Sequence, residues 1–514
     1  MQHNSAPPLD PGLPASTGDI LPAVHARSVS AQTLKSRVAR GSAWTLAGYG
    51  SSQALRLVNN LILWRLLYPE AFGLMAIVTV CLAGLAMFSD VGIGPSIVQH
   101  EHGDDADYLN TAWTIQVIRE FLLCSVAFIL AKPIASFYHQ PQLATLLPAA
   151  ALASLISGFN STRLFTLTRS ISLGRLTVLD LASQSLGLLT MIIWAWISRS
   201  IWALIVGTVV SNLVRMVLSH TFLPGIRNRF RWNPACARAL LRFGRWIFAS
   251  TLLTFVVMQS DRLLFGKLIP MGLLGVYSVA TTWAGMPLSV ISRIFSAVLF
   301  PLLSRLHNEG TDFSEGFLRS RKPWLVLSGF ASACLISGGP TLIRLLYEPR
   351  AASAGWIIQV LAAGIWLLSL ESANGIALLA LGRPKWVAIG NVAKLIGMVT
   401  LIPLGYSHWG FPGAVVALAS TELLHYATSV TGAHRHKVSC FGQDMTLSAL
   451  VVVTSGAGLL AARWIGPLLQ SLALRPAKLG VFLEGVAIAI CVGVGWACVY
   501  GWDKVKGRRQ AIAA

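Results

Sequence analysis

Runs of about 20 apolar residues, separated by short polar or Pro/Gly-bearing stretches, recur from residue 41 to residue 500. A bilayer core about 30 Å thick is crossed by about 20 helical residues. The pattern therefore predicts an all-α polytopic membrane protein with about fourteen transmembrane helices. They fall over 43–64, 70–96, 109–131, 144–162, 176–198, 201–222, 246–268, 272–299, 323–346, 354–381, 386–405, 411–431, 446–465 and 479–500. No short apolar segment with a cleavage site precedes the first run, so no signal peptide is expected.

Composition agrees: only 12% of the 514 residues are charged, against about 25% in soluble proteins. The net charge of +20 does not point to nucleic acid, because the basic residues lie between the apolar runs, where they set orientation and meet anionic lipid head groups. With a cytoplasmic N-terminus, 25 Lys and Arg fall in cytoplasmic segments and 8 on the other side. That bias predicts two cytoplasmic termini and an even number of spans. None of the seven cysteines stands in a CxxC pair; they read as small buried hydrophobes. No metal site is expected.

The organisation that follows is a disordered cytoplasmic tail (1–34), an N-lobe of six spans (35–222), a basic cytoplasmic linker (223–245), a C-lobe of six spans (246–431), two further spans (446–500) and a basic cytoplasmic tail (501–514). An echo at an offset of about 200 residues supports two lobes. LWRLLYPEAFGLMAI (63–77) and FGKLIPMGLLGVYSV (265–279) each carry a basic residue, two aliphatics, a proline and then a glycine. Two repeated six-helix bundles around a central cavity form a transporter architecture. The last two spans have Gly-rich faces, SGAGLL (455–460) and CVGVG (491–495), and comparatively few polar residues. They are expected outside the transport path, as a lipid-facing groove or a partner surface.

Polar residues inside the spans recur three or four apart, on single helical faces. They are Gln53, Arg56 and Asn60; Gln116, Arg119 and Glu120; Asp180 and Gln184; Asn212 and Arg215; Gln259, Asp261 and Arg262; Arg293; Glu371 and Asn374; Asn391 and Lys394; and Glu422, His425 and Tyr426. Ionisable groups in a bilayer are costly and usually face a hydrated interior. A cationic cavity is therefore expected, lined by Arg56, Gln53, Asn60, Arg119, Arg215, Arg262, Arg293, Asn374 and Lys394. Guanidinium suits phosphate or carboxylate, which it binds as a planar fork. The alternative is structural: Arg119 pairing with Glu120, Arg262 with Asp261, Arg344 snorkelling to the interface, and His425 a packed core residue. Asp90, in FSDVGIG, shapes the end of the second span in that alternative.

The stretch RGSAWTLAGYGSSQALRLVNNLILWRLLYPEAFGLMAIVTV (40–80), continuing to FSDVGIGPSIVQ (88–99), resembles the opening of Wzx-type polysaccharide transporters. These belong to the multidrug/oligosaccharidyl-lipid/polysaccharide exporter superfamily. The matching positions are Gly41, Trp44, Arg65, Leu66, Leu67, Pro69, Phe72, Gly73, Ser89, Asp90, Gly92 and Gln99; MQSDRLLFGKLI (258–269) resembles the family's seventh span. The resemblance implies a MATE-like pair of lobes and a flippase. Its substrate would be a polyprenyl-diphosphate-linked oligosaccharide crossing the bacterial inner membrane, for exopolysaccharide, capsule or O-antigen. Membrane lipids and a polysaccharide polymerase or export machinery are the implied partners. There is no GxxxxGK[ST] run for ATP and no cofactor is expected; proton or sodium coupling is the default driver. Asp90, Asp180, Asp261, Glu371 and Glu422 are its candidate carboxylates. Two rivals remain: a small-molecule exporter of the same superfamily, disfavoured by seven basic residues within spans, and a membrane glycan polymerase or ligase, disfavoured by the lack of a long loop.

Overall fold

A computed structural model describes residues 44, 47–88, 92–170, 172–309, 312–472 and 477–513. At 88, 241, 243–254, 294, 296–297, 465–466, 469–472, 477 and 498–513 only the backbone is described. The 1–34 tail and Asp90 lie outside the described residues. Among the described residues there are helices and connecting turns and no strand.

The helices are α1 (47–66), α2 (Pro69–Phe88), α3 (Ile93–Gln99), α4 (Ala106–Tyr138), α5 (Leu143–Gly158), α6 (Arg163–Arg169), α7 (Leu173–Ser198), α8 (Trp202–Thr221), α9 (Pro234–Leu268), α10 (Met271–Asn308), α11 (Phe313–Leu346), α12 (Ala354–Ala380), α13 (Pro384–Arg435), α14 (Phe441–Leu472) and α15 (Ala477–Ala513). By length and composition ten of them can cross a membrane, or eleven when the α5/α6 pair, bent by 59°, counts as one span. The expected number was about fourteen. One reason for the difference is that α13 holds two of the expected spans. Its 52 residues would extend about 78 Å as one helix, far beyond the hydrocarbon core. Gly410, at φ 62° and ψ −151°, breaks it into two arms. A second reason is that α1 and α9 carry the polar residues noted above and are not among the ten.

Local chemistry sets several of the ends. Asn233 caps α9 by accepting from the backbone of Ala235 and Cys236, with Pro234 in the first turn. Asp312 caps α11 in the same way through Ser314 and Glu315. Gly92, at φ 61°, starts α3 inside the second expected span (70–96), in which α2 ends at Phe88.

The helices form two lobes that share a hydrophobic core at one end. At the end carrying the α1–α2, α9–α10 and α11–α12 turns, one hydrophobic core runs through both lobes, joining Trp64, Ile77 and Tyr138 to Met271, Tyr277 and Ile343. Asn60 on α1 accepts a hydrogen bond from Tyr347 at the end of α11 (2.6 Å), and Tyr347 accepts from Trp283 on α10 (2.9 Å). At the opposite, basic end the cores are separate. Ile97, Tyr108 and Leu240 belong to one cluster, and Leu303, Phe317 and Val438 to another.

The closed end turns on the internal repeat. A Cβ added at Gly73 on α2 would collide with the carbonyl of Met271, and one at Gly275 on α10 with the carbonyl of Pro69. The contact is reciprocal between positions about 200 residues apart, as the repeat requires. Small residues let two helix backbones approach this closely.

Several arginines counted as orientation signals also build the basic end. Arg163 is buried and donates to the carbonyls of Ile226, His220 and Leu223. Arg169 donates to the carbonyls of Ile97 and His100. Beyond the lobes, α14 and α15 pack on α11. These helices bring two buried carboxylates to α11. Asp444, just before the thirteenth expected span, is buried against Arg321 at 2.6 Å. Glu484 is buried against Arg344 at 2.6 Å, while Arg344 itself stays about half exposed.

Overpacking costs about 1–3 kcal/mol, so Gly73→Val or Gly275→Val should open the closed end. The distance between spin labels at Asn60→Cys and Tyr347→Cys, in a background without native cysteines, should lengthen; an unchanged distance would mean that the crossing does not hold the lobes together. Arg321→Ala should lower thermal stability in detergent by the equivalent of about 3–5 kcal/mol, because it strands a buried carboxylate. The double variant Arg321→Met/Asp444→Leu should recover most of that loss.

Candidate functional site: a cationic basin in the N-lobe

The N-lobe holds two adjoining cavities. The first, of about 500 Å³, lies among α1, α7 and α8 and is lined by Ser52, Arg56, Asp180, Gln184, Asn212 and Arg215 among others. The second, of about 380 Å³, lies among α4 to α8 and includes Gln116, Arg119, Glu120, Asn160, Asp180 and Arg215. The Asp180–Arg215 pair (3.0 Å) belongs to both and forms the partition between them. The helical periodicity of the sequence puts these groups in place: α1 lays Ser52 and Arg56 on one face, α4 lays Gln116, Arg119 and Glu120 on another.

Each wall has a local cause. Ser52 donates to Gln184 (2.6 Å) and Gln184 donates back to the Ser52 carbonyl (3.2 Å), tying α1 to α7. Gln116 donates to the carbonyl of Gly158 (2.8 Å), where α5 ends. Arg119 is paired with buried Glu120 at 2.5 Å. Among the described residues Arg56 has no carboxylate partner; it is exposed into the basin, ten residues before the end of α1. At 1.5 Å per residue it lies about 15 Å below the closed end. Counting the lining groups, three arginines face two carboxylates, so the basin carries one positive charge in excess.

The other expected cavity residues fall elsewhere. Gln53 lies near Tyr49 (3.4 Å), whose ring also lies under Arg293 of α10 at 5.2 Å, a contact between the lobes. Asn60 is part of the closed end. Arg262 donates to Gln259 (3.1 Å). Asn374 is fully buried and accepts from Arg321 (2.7 Å). Lys394 is buried on Glu422 at 2.5 Å and lines a separate C-lobe cavity of about 160 Å³ with Asp261 and Tyr277. There the lining charges are Lys394 against Asp261 and Glu422, one negative charge in excess. Asp261 itself accepts from Tyr277 (2.6 Å). Among the described residues no group of His, Cys, Asp and Glu could hold a metal ion. Sequence reasoning did not find Asn160, Ser157 and Thr168, which complete the second cavity; they lie at the α5–α6 bend, where helical periodicity fails. It also missed Arg321 and Asp444, which no spacing relates.

A multi-pass helical bundle of two lobes around polar cavities is a membrane-transporter fold. The sequence profile of the polysaccharide biosynthesis protein family matches residues 62–350, more than half of the chain, and the chain belongs to that family. It is 24% identical over 290 residues to the succinoglycan biosynthesis transport protein ExoT of Rhizobium meliloti, covering 56% of this chain and 58% of the relative. That alignment takes in less than two thirds of the relative's length. It is 21% identical over 394 residues to the lipopolysaccharide biosynthesis protein WzxC of Escherichia coli, covering 76% and 80%. Its fold is similar to that of the lipid II flippase MurJ in an inward closed conformation, with a TM-score of 0.68 and 12% identity over 89% of this chain and 99% of that one.

Asp180→Asn should leave Arg215 without its carboxylate and make the basin more cationic. If the basin is an anion site, the detergent-solubilised variant binds inorganic pyrophosphate more tightly than the wild-type protein, by up to about tenfold for about 1.4 kcal/mol. Equal affinities by calorimetry would exclude the basin as the anion site.

Proposed function

We propose that the chain is a flippase that moves a polyprenyl-diphosphate-linked oligosaccharide across the bacterial inner membrane for exopolysaccharide, capsule or O-antigen synthesis. Both termini are cytoplasmic in this reading, and the basic end faces the cytoplasm. The observation that carries it is the N-lobe basin with its excess positive charge and its carboxylate-free Arg56.

The chemistry fits this cargo. A diphosphate needs cationic donors in a low-dielectric setting, and a guanidinium supplies paired N–H groups that stay charged there. Sugar hydroxyls need donors and acceptors without net charge. The second cavity supplies Gln116, Ser157, Asn160 and Thr168 beside the Arg119–Glu120 pair. The lipid tail stays in the bilayer, between lobes whose cores are separate at the basic end. Movement then consists of opening the closed end and closing the basic end around a fixed site. The names of the relatives, a succinoglycan transport protein and a lipopolysaccharide biosynthesis protein, support the same cargo class. A polymerase or export complex beyond the membrane is the partner that would receive the glycan.

The test replaces Arg56 with Ala, and separately with Lys, in cells lacking the native chain, and measures exported polysaccharide alongside membrane abundance. Arg56→Ala should abolish export at normal abundance, and Arg56→Lys should restore part of it. Normal export by both would remove Arg56 from the path and with it the best-placed cation of the basin.

A further inference from the structure

The C-lobe buries a cluster of four ionisable side chains that the basin does not use. Lys394 on the first arm of α13 meets Glu422 on the second arm at 2.5 Å. His425, one turn beyond Glu422, lies 3.6 Å from it through Nδ1 and 3.2 Å from Glu371 of α12 through Nε2. All four side chains are at most about a tenth exposed. Space for them is built in: a Cβ at Gly390 would stand 2.8 Å from the His425 ring, and one at Gly375 3.3 Å from the Glu371 carboxylate.

The charge count is unbalanced. With Lys394 charged, both carboxylates ionised and His425 neutral, one negative charge is in excess. An uncompensated charge in a dry interior is disfavoured, and one proton removes it. Positions for this proton stand open: the unprotonated ring nitrogen of neutral His425 and Oε2 of Glu422 are buried and make no hydrogen bond of good geometry, with the facing carboxylates 3.2 and 3.6 Å from the ring. The other charged and titratable groups around the cluster do not neutralise it. Across the small cavity, Asp261 of α9 adds negative charge and is held by Tyr277 of α10, while Arg262 turns to Gln259. On the far side Tyr426 donates to Asp444, which is already paired with Arg321.

We propose that Glu371, His425, Glu422 and Lys394 form a proton-binding site of the C-lobe, reached through the cavity beside Asp261 and separate from the anion basin of the N-lobe. The site joins α12 to both arms of α13, so loading and unloading changes the attraction between those elements. A hard cation such as sodium is held by several oxygen ligands. Here two of the four groups are nitrogen bases, and Lys394 already occupies the position of a bound cation. The coupling role rests on the transport reading above; proton binding does not.

Two measurements on the purified full chain separate these claims. The first counts protons taken up between pH 9 and pH 5 by wild type, Glu371→Gln and His425→Asn. Removing the Glu371 charge leaves a balanced Glu422–Lys394 pair, so Glu371→Gln should take up about one proton fewer than wild type. Equal counts for all three proteins would overturn the site, whatever the cargo. The second uses proteoliposomes loaded with polyprenyl-diphosphate-linked oligosaccharide extracted from cells that lack the chain. It reads the fraction of glycan exposed to external periodate. Imposing a pH gradient should accelerate exposure in wild type, an imposed sodium gradient should not, and both variants should lose the acceleration. Acceleration by sodium alone, or full acceleration in both variants, would overturn the coupling role. A wild-type chain that moves no glycan under any gradient, yet shows the proton difference, would defeat the transport reading and leave the proton site standing.

Discussion

Charge inside a low-dielectric slab has to be neutralised or put to use, and the rest of this structure follows from how each charge is handled. An intramembrane cation or carboxylate costs several kcal/mol when left alone. Most of those described here are accordingly paired: Arg119 with Glu120, Arg215 with Asp180, Lys394 with Glu422, Arg321 with Asp444 and Arg344 with Glu484. The unbalanced places then stand out. The N-lobe basin is one charge positive and the C-lobe cavity one charge negative. The two halves of a duplicated fold have diverged in electrostatic sign, so an anionic cargo and a proton need not compete for one site.

The same pairs fix the architecture. Arg321 and Arg344 sit toward opposite ends of α11 and hold α14 and α15 against the C-lobe. Those two helices are thereby tied to the C-lobe. What remains free to change is the contact between lobes: the Gly73–Gly275 crossing, the Asn60–Tyr347–Trp283 hydrogen bonds and the Arg293–Tyr49 stacking. The first two stand in the core shared at the closed end, and the third lies further toward the basic end.

Much of this was legible in the sequence, for definite reasons. Spans read as apolar runs because lipid admits little else, and the repeat was visible because the Pro–Gly spacing that lets α2 cross α10 has to occur in both halves. Arg56, Asp180 and Arg215 were found because helical periodicity carries side chains onto one face. Periodicity does not tell a paired charge from an unpaired one. Lys394 and Asn374 were therefore placed with the cavity residues, although their partners, Glu422 and Arg321, lie 28 and 53 residues away in the chain. The same limit hid the negative sign of the C-lobe. The bend between α5 and α6 was equally hard to read, because a short polar gap between apolar runs looks the same whether a helix ends or kinks; the break at Gly410 falls between the expected spans 386–405 and 411–431.

The central claim is that the glycan lipid passes through the N-lobe basin and not through the C-lobe cavity. The most direct test puts a photo-crosslinking amino acid at Leu188, which lines the basin, and separately at Leu361, which lines the C-lobe cavity. Cells accumulating polyprenyl-linked oligosaccharide are then irradiated, and the protein is probed for attached glycan. Passage through the N-lobe basin gives a glycan adduct at Leu188 and none at Leu361; an adduct at Leu361 alone would contradict it.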